Sequence, residues 1–214
     1  LCLDGFEIDI LYKRVLIHEF LDRFDQAHPL VRAYKDRRVF MANSFRSKLA
    51  HKKASFAVLT DSFYHYLFEP DELAAIRKHI PWTRLVKPSR TKFGGVDWNL
   101  LDLISRYREE FVLKPNDDYG GHGVILGWET EPEEWRAALR TAIEKPYVVQ
   151  ERVRGEKIKI PRYSDRVSLD ELFIDFNPFL FHNRVEGALI RLSGSALMNV
   201  SLGGGQTALV VLED

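Results

Sequence analysis

The stretch that decides the fold is Phe111-Val112-Leu113-Lys114-Pro115-Asn116-Asp117-Asp118-Tyr119-Gly120-Gly121-His122-Gly123-Val124. Three apolar residues lead into a lysine, a polar loop with three glycines follows, and a second apolar run continues through Trp128. The pattern predicts a strand, a tight loop and a second strand. Glycine has no Cβ, so such a loop can turn its backbone N–H groups toward a ligand. These concavities bind anions, and a lysine at the rim adds a fixed positive charge. The unit therefore has the parts of a phosphate cradle between two strands. It is not a P-loop, because G-x-x-x-x-G-K-[ST] is missing and no glycine series opens a helix.

On the N-terminal side of this unit, Leu100 to Glu110 reads as a helix with Leu101, Ile104 and Tyr107 on one face. On the C-terminal side, Pro132 opens a helix that runs through Glu144, with Trp135, Leu139 and Ile143 at helical spacing. Tyr147 to Val153 reads as a strand, and Lys157 to Lys159 as another. Leu172 to Phe181, Ala188 to Leu192 and Leu197 to Leu202 are apolar strands, and Ala208 to Leu212 is expected to be a final buried one. Nearer the N-terminus, Phe6, Ile8, Ile10 and Tyr12 alternate with Glu7 and Asp9, which predicts a strand with one buried face. A helix follows from Ile17 to Phe24, then a short strand from Arg38 to Ala42. Ser47 is placed to cap a helix from Lys48 to Thr60 with Leu49, Phe56, Val58 and Leu59 packed. Pro70 starts a helix from Asp71 to His79, and Pro81 ends it. The basic segment Lys87 to Gly95, with Pro88, Gly94 and Gly95, reads as a loop between lobes. It divides the chain into residues 1–91 and 92–214. The sum is an α+β protein in which hairpins outnumber parallel crossovers.

Composition narrows the functional classes. The 214 residues are 45% hydrophobic and 29% charged, the profile of a globular chain. Thirty-one basic residues balance thirty-one acidic ones, so neither a nucleic acid nor a membrane surface is an expected partner. The lone Cys2 allows no internal disulfide, which fits a reducing, cytoplasmic compartment. The chain begins at Leu1 within an apolar pattern, as a fragment of a longer protein would.

Several positions carry chemistry, each with a plainer reading. Lys114 is either a phosphate ligand or an exposed lysine at a strand end. Asp117 and Asp118 beside phosphates would need a cation between them, and Mg²⁺ bridges carboxylate and phosphate oxygens; alternatively they serve the turn itself. The end of the strand Tyr147 to Val153 can read an adenine edge through its backbone or simply emerge into solvent. Arg191, inside Ala188-Leu189-Ile190-Arg191-Leu192, needs a partner because a buried unpaired charge is costly. A ligand carboxylate or phosphate would supply one, and so would an ion pair with Glu186 or Asp175. Asp175 and Asn177 share one strand face, a metal pair or a solvent-facing edge. No histidine has metal-ligand spacing to another, and no nucleophile–histidine grouping is visible.

Phe111 to Pro115 with Asp118-Tyr119-Gly120-Gly121-His122-Gly123, followed by Val149-Gln150-Glu151, resembles the nucleotide site of the ATP-grasp family. The order of the other segments is similar to the circularly permuted branch, the glutathionylspermidine-synthase-like proteins and, more distantly, eukaryotic glutathione synthetase. Ile8 to Arg14 resembles an early strand ending in a substrate-facing arginine. Asn43-Ser44-Phe45-Arg46 through His51-Lys52-Lys53-Ala54 resembles the loop and helix with the first ATP lysine. Gly187 to Asp214, with Arg191, Asn199 and Gly203-Gly204-Gly205, resembles the closing strands.

The resemblance implies two α+β lobes with mainly antiparallel sheets clasping a nucleotide cleft, and a ligase that joins a small-molecule carboxylate to an amine at the expense of ATP with Mg²⁺. It places Lys53 and Lys114 on ATP phosphates, Gly120, Gly121 and Gly123 over them, and Gln150, Glu151 and Val153 at the adenine hinge. Asp118 becomes a magnesium ligand, and Arg14 and Arg191 hold substrate carboxylates. The branch's Glu-x-Asn metal pair is not found before Arg14; Asp175 and Asn177 are the second choice for that role. The glycine loops at 120–123 and 203–205 are expected to act as lids.

Overall fold

Asp4-Gly5 is a strong hairpin signal, because both central residues of a type I′ turn need positive φ. In the computed structural model, which describes residues 1–23, 25, 28–163, 165–196 and 205–212, Asp4 has φ +49° and Gly5 φ +81°. They join β1 (Cys2–Leu3) to β2 (Phe6–Glu7). The alternation from Phe6 to Tyr12 is thus split: the hairpin ends at Glu7, and β3 (Ile10–Tyr12) pairs in parallel with β4 (Phe40–Ala42). Nor does it bury a face. Phe6 and Ile10 are 72% and 69% exposed, since period two sets the direction of side chains but not what covers them.

The contacts divide the chain into two compact units, Leu1–Ser55 and Phe56–Asp214. The first unit's core is aromatic. Phe20 on α1 (Ile17–Arg23) lies 5.3 Å from Phe45, and Phe45 meets Tyr34 of α2 (Pro29–Lys35) edge-on at 5.0 Å. Helix α2 escaped the sequence reading although Leu30, Ala33 and Tyr34 share one face; Pro29 at its first turn and a cap from His28 to Leu30 N–H define it. Ser47 does not cap a long helix. Its hydroxyl donates to Ser44 O, and α3 (Ser47–His51) stops at Lys52, whose ψ of 129° is extended. α4 (Ala54–Thr60) starts afresh, and Leu49, Phe56 and Val58 are exposed rather than packed.

In the second unit, α5 (Pro70–His79) begins with a capping box between Glu69 and Glu72. An antiparallel sheet of order β5-β10-β8-β9 is built from β5 (Thr83–Leu85), β8 (Phe111–Pro115), β9 (Ile125–Leu126) and β10 (Tyr147–Glu151). One face of it packs on α6 (Leu100–Arg106) and α7 (Pro132–Glu144) through Phe111, Leu113, Val149, Leu103, Ile104 and Trp135. On α6 the inward residues are Leu100, Leu103 and Ile104, so the stripe is rotated from the one read with Tyr107. On α7 Ala142 is buried and Ile143 exposed. Segment 87–95 is not a loop: β6 (Arg90–Phe93) and β7 (Val96–Asn99) form a hairpin over Gly94-Gly95, with φ +57° and +81°.

The last third forms a second antiparallel sheet, order β11-β12-β13-β14, from β11 (Lys157–Tyr163), β12 (Val167–Phe181), β13 (Arg184–Ser193) and β14 (Gly205–Thr207). His182 and Asn183, both at positive φ, turn β12 into β13. Ala208 to Leu212 is not a buried strand: Val210, Val211 and Leu212 are each more than 70% exposed. Leu197–Leu202, Asn199 and Gly203-Gly204 lie outside the described residues. The architecture is α+β with mostly antiparallel sheets, as the sequence predicts, and among the described residues no helix is long and apolar enough to cross a membrane.

Candidate functional site

Strand β8 alternates its faces. Phe111 and Leu113 enter the helical core, so Val112 and Lys114 point the other way. Pairing in register with β10 puts Val148 opposite Lys114 and Gln150 opposite Val112, on the same face. There the Lys114 ammonium donates to Gln150 Oε1 at 2.7 Å. Gln150 is only 8% exposed and its Nε2 donates to Thr83 Oγ1 at 2.9 Å. Two residues singled out from sequence, 36 apart in the chain, are thereby brought into direct contact.

The loop after Lys114 has the backbone that its glycines suggested. Gly120, Gly121 and Gly123 have φ +68°, +79° and +65°, conformations that other residues adopt at a cost. At Gly123 a Cβ would also lie 2.8 Å from the Pro115 ring and 3.0 Å from Tyr147 Oη. Asp118 is half-buried, and its Oδ1 accepts from the backbone N–H of Tyr119 at 2.8 Å. Among the described residues no group of three His, Cys, Asp or Glu is placed to hold a metal. Mg²⁺ needs only one or two protein carboxylates when phosphate and water fill its other positions, so Asp118 fits such an ion.

At the end of β10, the Glu151 N–H donates to Trp82 O and the Arg152 N–H to Glu110 O, both at 2.8 Å. Val153 lies beyond the strand and is exposed. Below it, Arg84 is held in a polar cluster. Its Nε donates to Thr91 Oγ1 at 2.9 Å, its Nη1 to Thr83 O at 2.7 Å, and Asp61 lies 3.7 Å away. Burial pushes the Arg84 guanidinium down and Asp61 pulls it back up.

Arg191 meets both residues of the alternative metal pair. Its Nη2 donates to Asp175 Oδ2 and, at 3.4 Å, to Asn177 Oδ1; its Nε is buried and has no hydrogen-bond partner among the described residues. The antiparallel register, which sets Asp175 directly opposite Arg191, makes this pairing.

In the first unit, Arg14 is exposed and its neighbour Lys13 is the buried cation, 7% exposed. Lys13 Nζ donates to Val15 O at 3.2 Å. Both residues line a hollow of about 440 Å³ together with Asn43, Ser47, Lys48 and His51, and no acidic side chain is among the described residues that line it. Burial, and then the charge of Lys48, hold the Lys13 pKa below its ordinary 10.5. A lysine with a depressed folded pKa costs stability while it is protonated, and stability rises with pH between the folded and unfolded values. Lys13→Met is therefore expected to stabilise the first unit at neutral pH, with an advantage that shrinks as pH approaches 10.5; melting curves across that range check it. Lys53 lies in the turn between α3 and α4, in the first unit, and Lys114 lies in the second.

Sequence reasoning missed Lys13 and Thr83. Lys13 sits beside the arginine that drew attention. Thr83 follows Pro81-Trp82 in a stretch with no period, and only its pairing with Gln150 reveals it.

No protein-family model matches the chain. It is 26% identical over 211 residues to a protein of Frankia casuarinae named "Putative glutamate--cysteine ligase 2-2", an alignment that takes in 92% of this chain and 22% of that protein. It is 26% identical to an uncharacterized protein of Synechocystis, over 96% of this chain and 43% of the relative. An uncharacterized protein of Mycobacterium tuberculosis is 24% identical over 96% of this chain and 37% of its own length. The chain thus spans between about a fifth and two fifths of the length of these relatives.

Proposed function

We propose that this chain is the ATP-binding part of an ATP-grasp ligase of the circularly permuted kind, which joins a carboxylate to an amine through an acylphosphate. The observation that carries this reading is the end of β8: a half-buried lysine, oriented by a buried glutamine, immediately followed by a loop with three left-handed glycines. A relative named as a putative glutamate–cysteine ligase, of whose length the alignment takes in 22%, supports a ligase.

In this reading Lys114 holds phosphate oxygens of ATP, and Gly120, Gly121 and Gly123 close over them. Asp118 is the carboxylate for Mg²⁺, which would neutralise charge on the transferring phosphoryl group. The adenine edge is read at the hinge of Gln150, Glu151 and Val153, where the N–H groups of Glu151 and Arg152 are already bonded. Arg14, with Lys13 and Lys48 beside it in the basic hollow, takes a substrate carboxylate. Arg191 takes a second, by exchanging Asp175 for the ligand. The protein's part is positioning and charge neutralisation, with no covalent nucleophile of its own.

The test is ADP release by the full-length protein with Mg·ATP and a panel of amino acids, peptides and polyamines. Release that depends on both an acid and an amine supports the ligase. Nucleotide binding without turnover under any combination points instead to a non-catalytic nucleotide-binding module.

A further inference from the structure

A chain of hydrogen bonds runs from Lys114 into the sheet and ends on a backbone carbonyl. Lys114 Nζ donates to Gln150 Oε1 at 2.7 Å, Gln150 Nε2 donates to Thr83 Oγ1 at 2.9 Å, and Thr83 Oγ1 donates to Pro81 O at 2.9 Å. We propose that Thr83 is a positioning residue: its hydroxyl fixes which end of the Gln150 carboxamide faces Lys114, and so aims the ammonium at the phosphate site. The inference rests on the reading of Lys114 as a phosphate ligand and adds to it a residue that touches no nucleotide.

The polarity of this chain is set from both ends. A carbonyl oxygen only accepts, so the single hydroxyl hydrogen of Thr83 goes to Pro81 O and leaves lone pairs to receive a donor. The Gln150 amide must therefore present its NH₂ to Thr83. An ammonium only donates, so Lys114 requires the carboxamide oxygen. One orientation of Gln150 satisfies both demands, and the flipped one sets NH₂ against NH₃⁺.

Thr83 is fully buried and Gln150 nearly so, so water does not stand in for a lost partner. The hydroxyl is also anchored. Thr83 is in register opposite Gln150 across the β5–β10 ladder, and its N–H donates to Thr60 Oγ1 at 3.1 Å. Without the hydroxyl, the Gln150 NH₂ loses its buried acceptor, one of the two bonds that hold the carboxamide oxygen toward Lys114, and the ammonium is aimed less firmly.

The experiment compares nucleotide binding by Thr83→Val, Thr83→Ser and Lys114→Ala in the full chain, by calorimetry, with Mg·AMP-PNP and with adenosine. Thr83→Val keeps the shape and removes the hydroxyl. It should weaken AMP-PNP about tenfold, the scale of one lost charge-assisted bond, and leave adenosine within about twofold. Thr83→Ser should restore wild-type affinity. A second readout is the Gln150 side-chain NH₂ in NMR, whose hydrogens should lose exchange protection in Thr83→Val.

Wild-type AMP-PNP affinity in Thr83→Val, or an equal loss for adenosine, would overturn the proposal. Should Thr83→Val fail to fold, Thr83→Ala supplies the same test, and undiminished AMP-PNP binding there overturns it too. If Lys114→Ala binds AMP-PNP like wild type, the phosphate-site reading itself is wrong. If Lys114→Ala is impaired and Thr83→Val is not, that reading stands and the positioning role falls.

Discussion

Lys114→Ala should lower ATP turnover by about 10²–10³-fold, the scale for removing one preorganised group that meets developing charge. The side chain is half-buried at the end of a paired strand, and Gln150 keeps its bond to Thr83 when the ammonium is gone. The fold is therefore expected to survive, and a melting curve close to wild type is part of the expected result. Lys114→Arg is informative beside it. Arginine keeps the charge but is a planar fork in place of a compact point charge, so partial activity at best is expected. Single-turnover measurement of ADP formation separates lost chemistry from weaker binding. Full activity in Lys114→Ala would remove the central element of the proposed site.

Gly127→Ala should destabilise the second unit by roughly 3 kcal/mol or more, as forced overpacking against backbone does. A Cβ on Gly127 would lie 1.9 Å from Arg108 O and 2.7 Å from Phe111 O. Neither atom belongs to a side chain that can rotate away. The segments are tied together further: the Gly127 N–H donates to Phe111 O at 3.0 Å, and the Arg108 side chain donates from Nη1 to Gly127 O at 2.6 Å and to Thr130 O at 2.7 Å. Relief would require β8 and the turn after β9 to separate at the point where the proposed phosphate loop returns. A melting temperature lower by about 6–12 °C is expected, at roughly 2–4 °C per kcal/mol for a unit of this size. An unchanged melting temperature would mean that the close approach of these backbones is misplaced.

The parts of this protein that were legible in the sequence are those built from local signals. Pro132 to Glu144 is a helix with the bounds its first-turn proline and apolar spacing imply. Phe111 to Pro115 is a strand, and the glycines after it adopt the left-handed backbone for which glycine is needed. The reading failed where a period was present without a neighbour to give it meaning. Phe6 to Tyr12 alternates yet buries no face, and Ala208 to Leu212 is apolar yet exposed. The strand read as ending at Phe181 does end there, where His182-Asn183 fold β12 back on β13. Gly127 carried no motif. Its need for a hydrogen in place of a methyl comes from Arg108, which approaches from nineteen residues earlier in the chain.

The chemical inventory of the candidate site is a property of the sequence alone: a lysine at a strand end, glycines that free a loop's backbone, and an arginine inside an apolar run. Which groups face one another was decided by tertiary structure. Thr83 and Gln150 are 67 residues apart and touch because β10 lies between β5 and β8. Arg191 chose Asp175 over Glu186 because the β12–β13 register sets those two positions opposite each other. The physical reason is the same in both cases. Backbone hydrogen bonds between distant strands fix the register, a shift of one residue would turn every side chain to the other face, and no local pattern encodes that alignment.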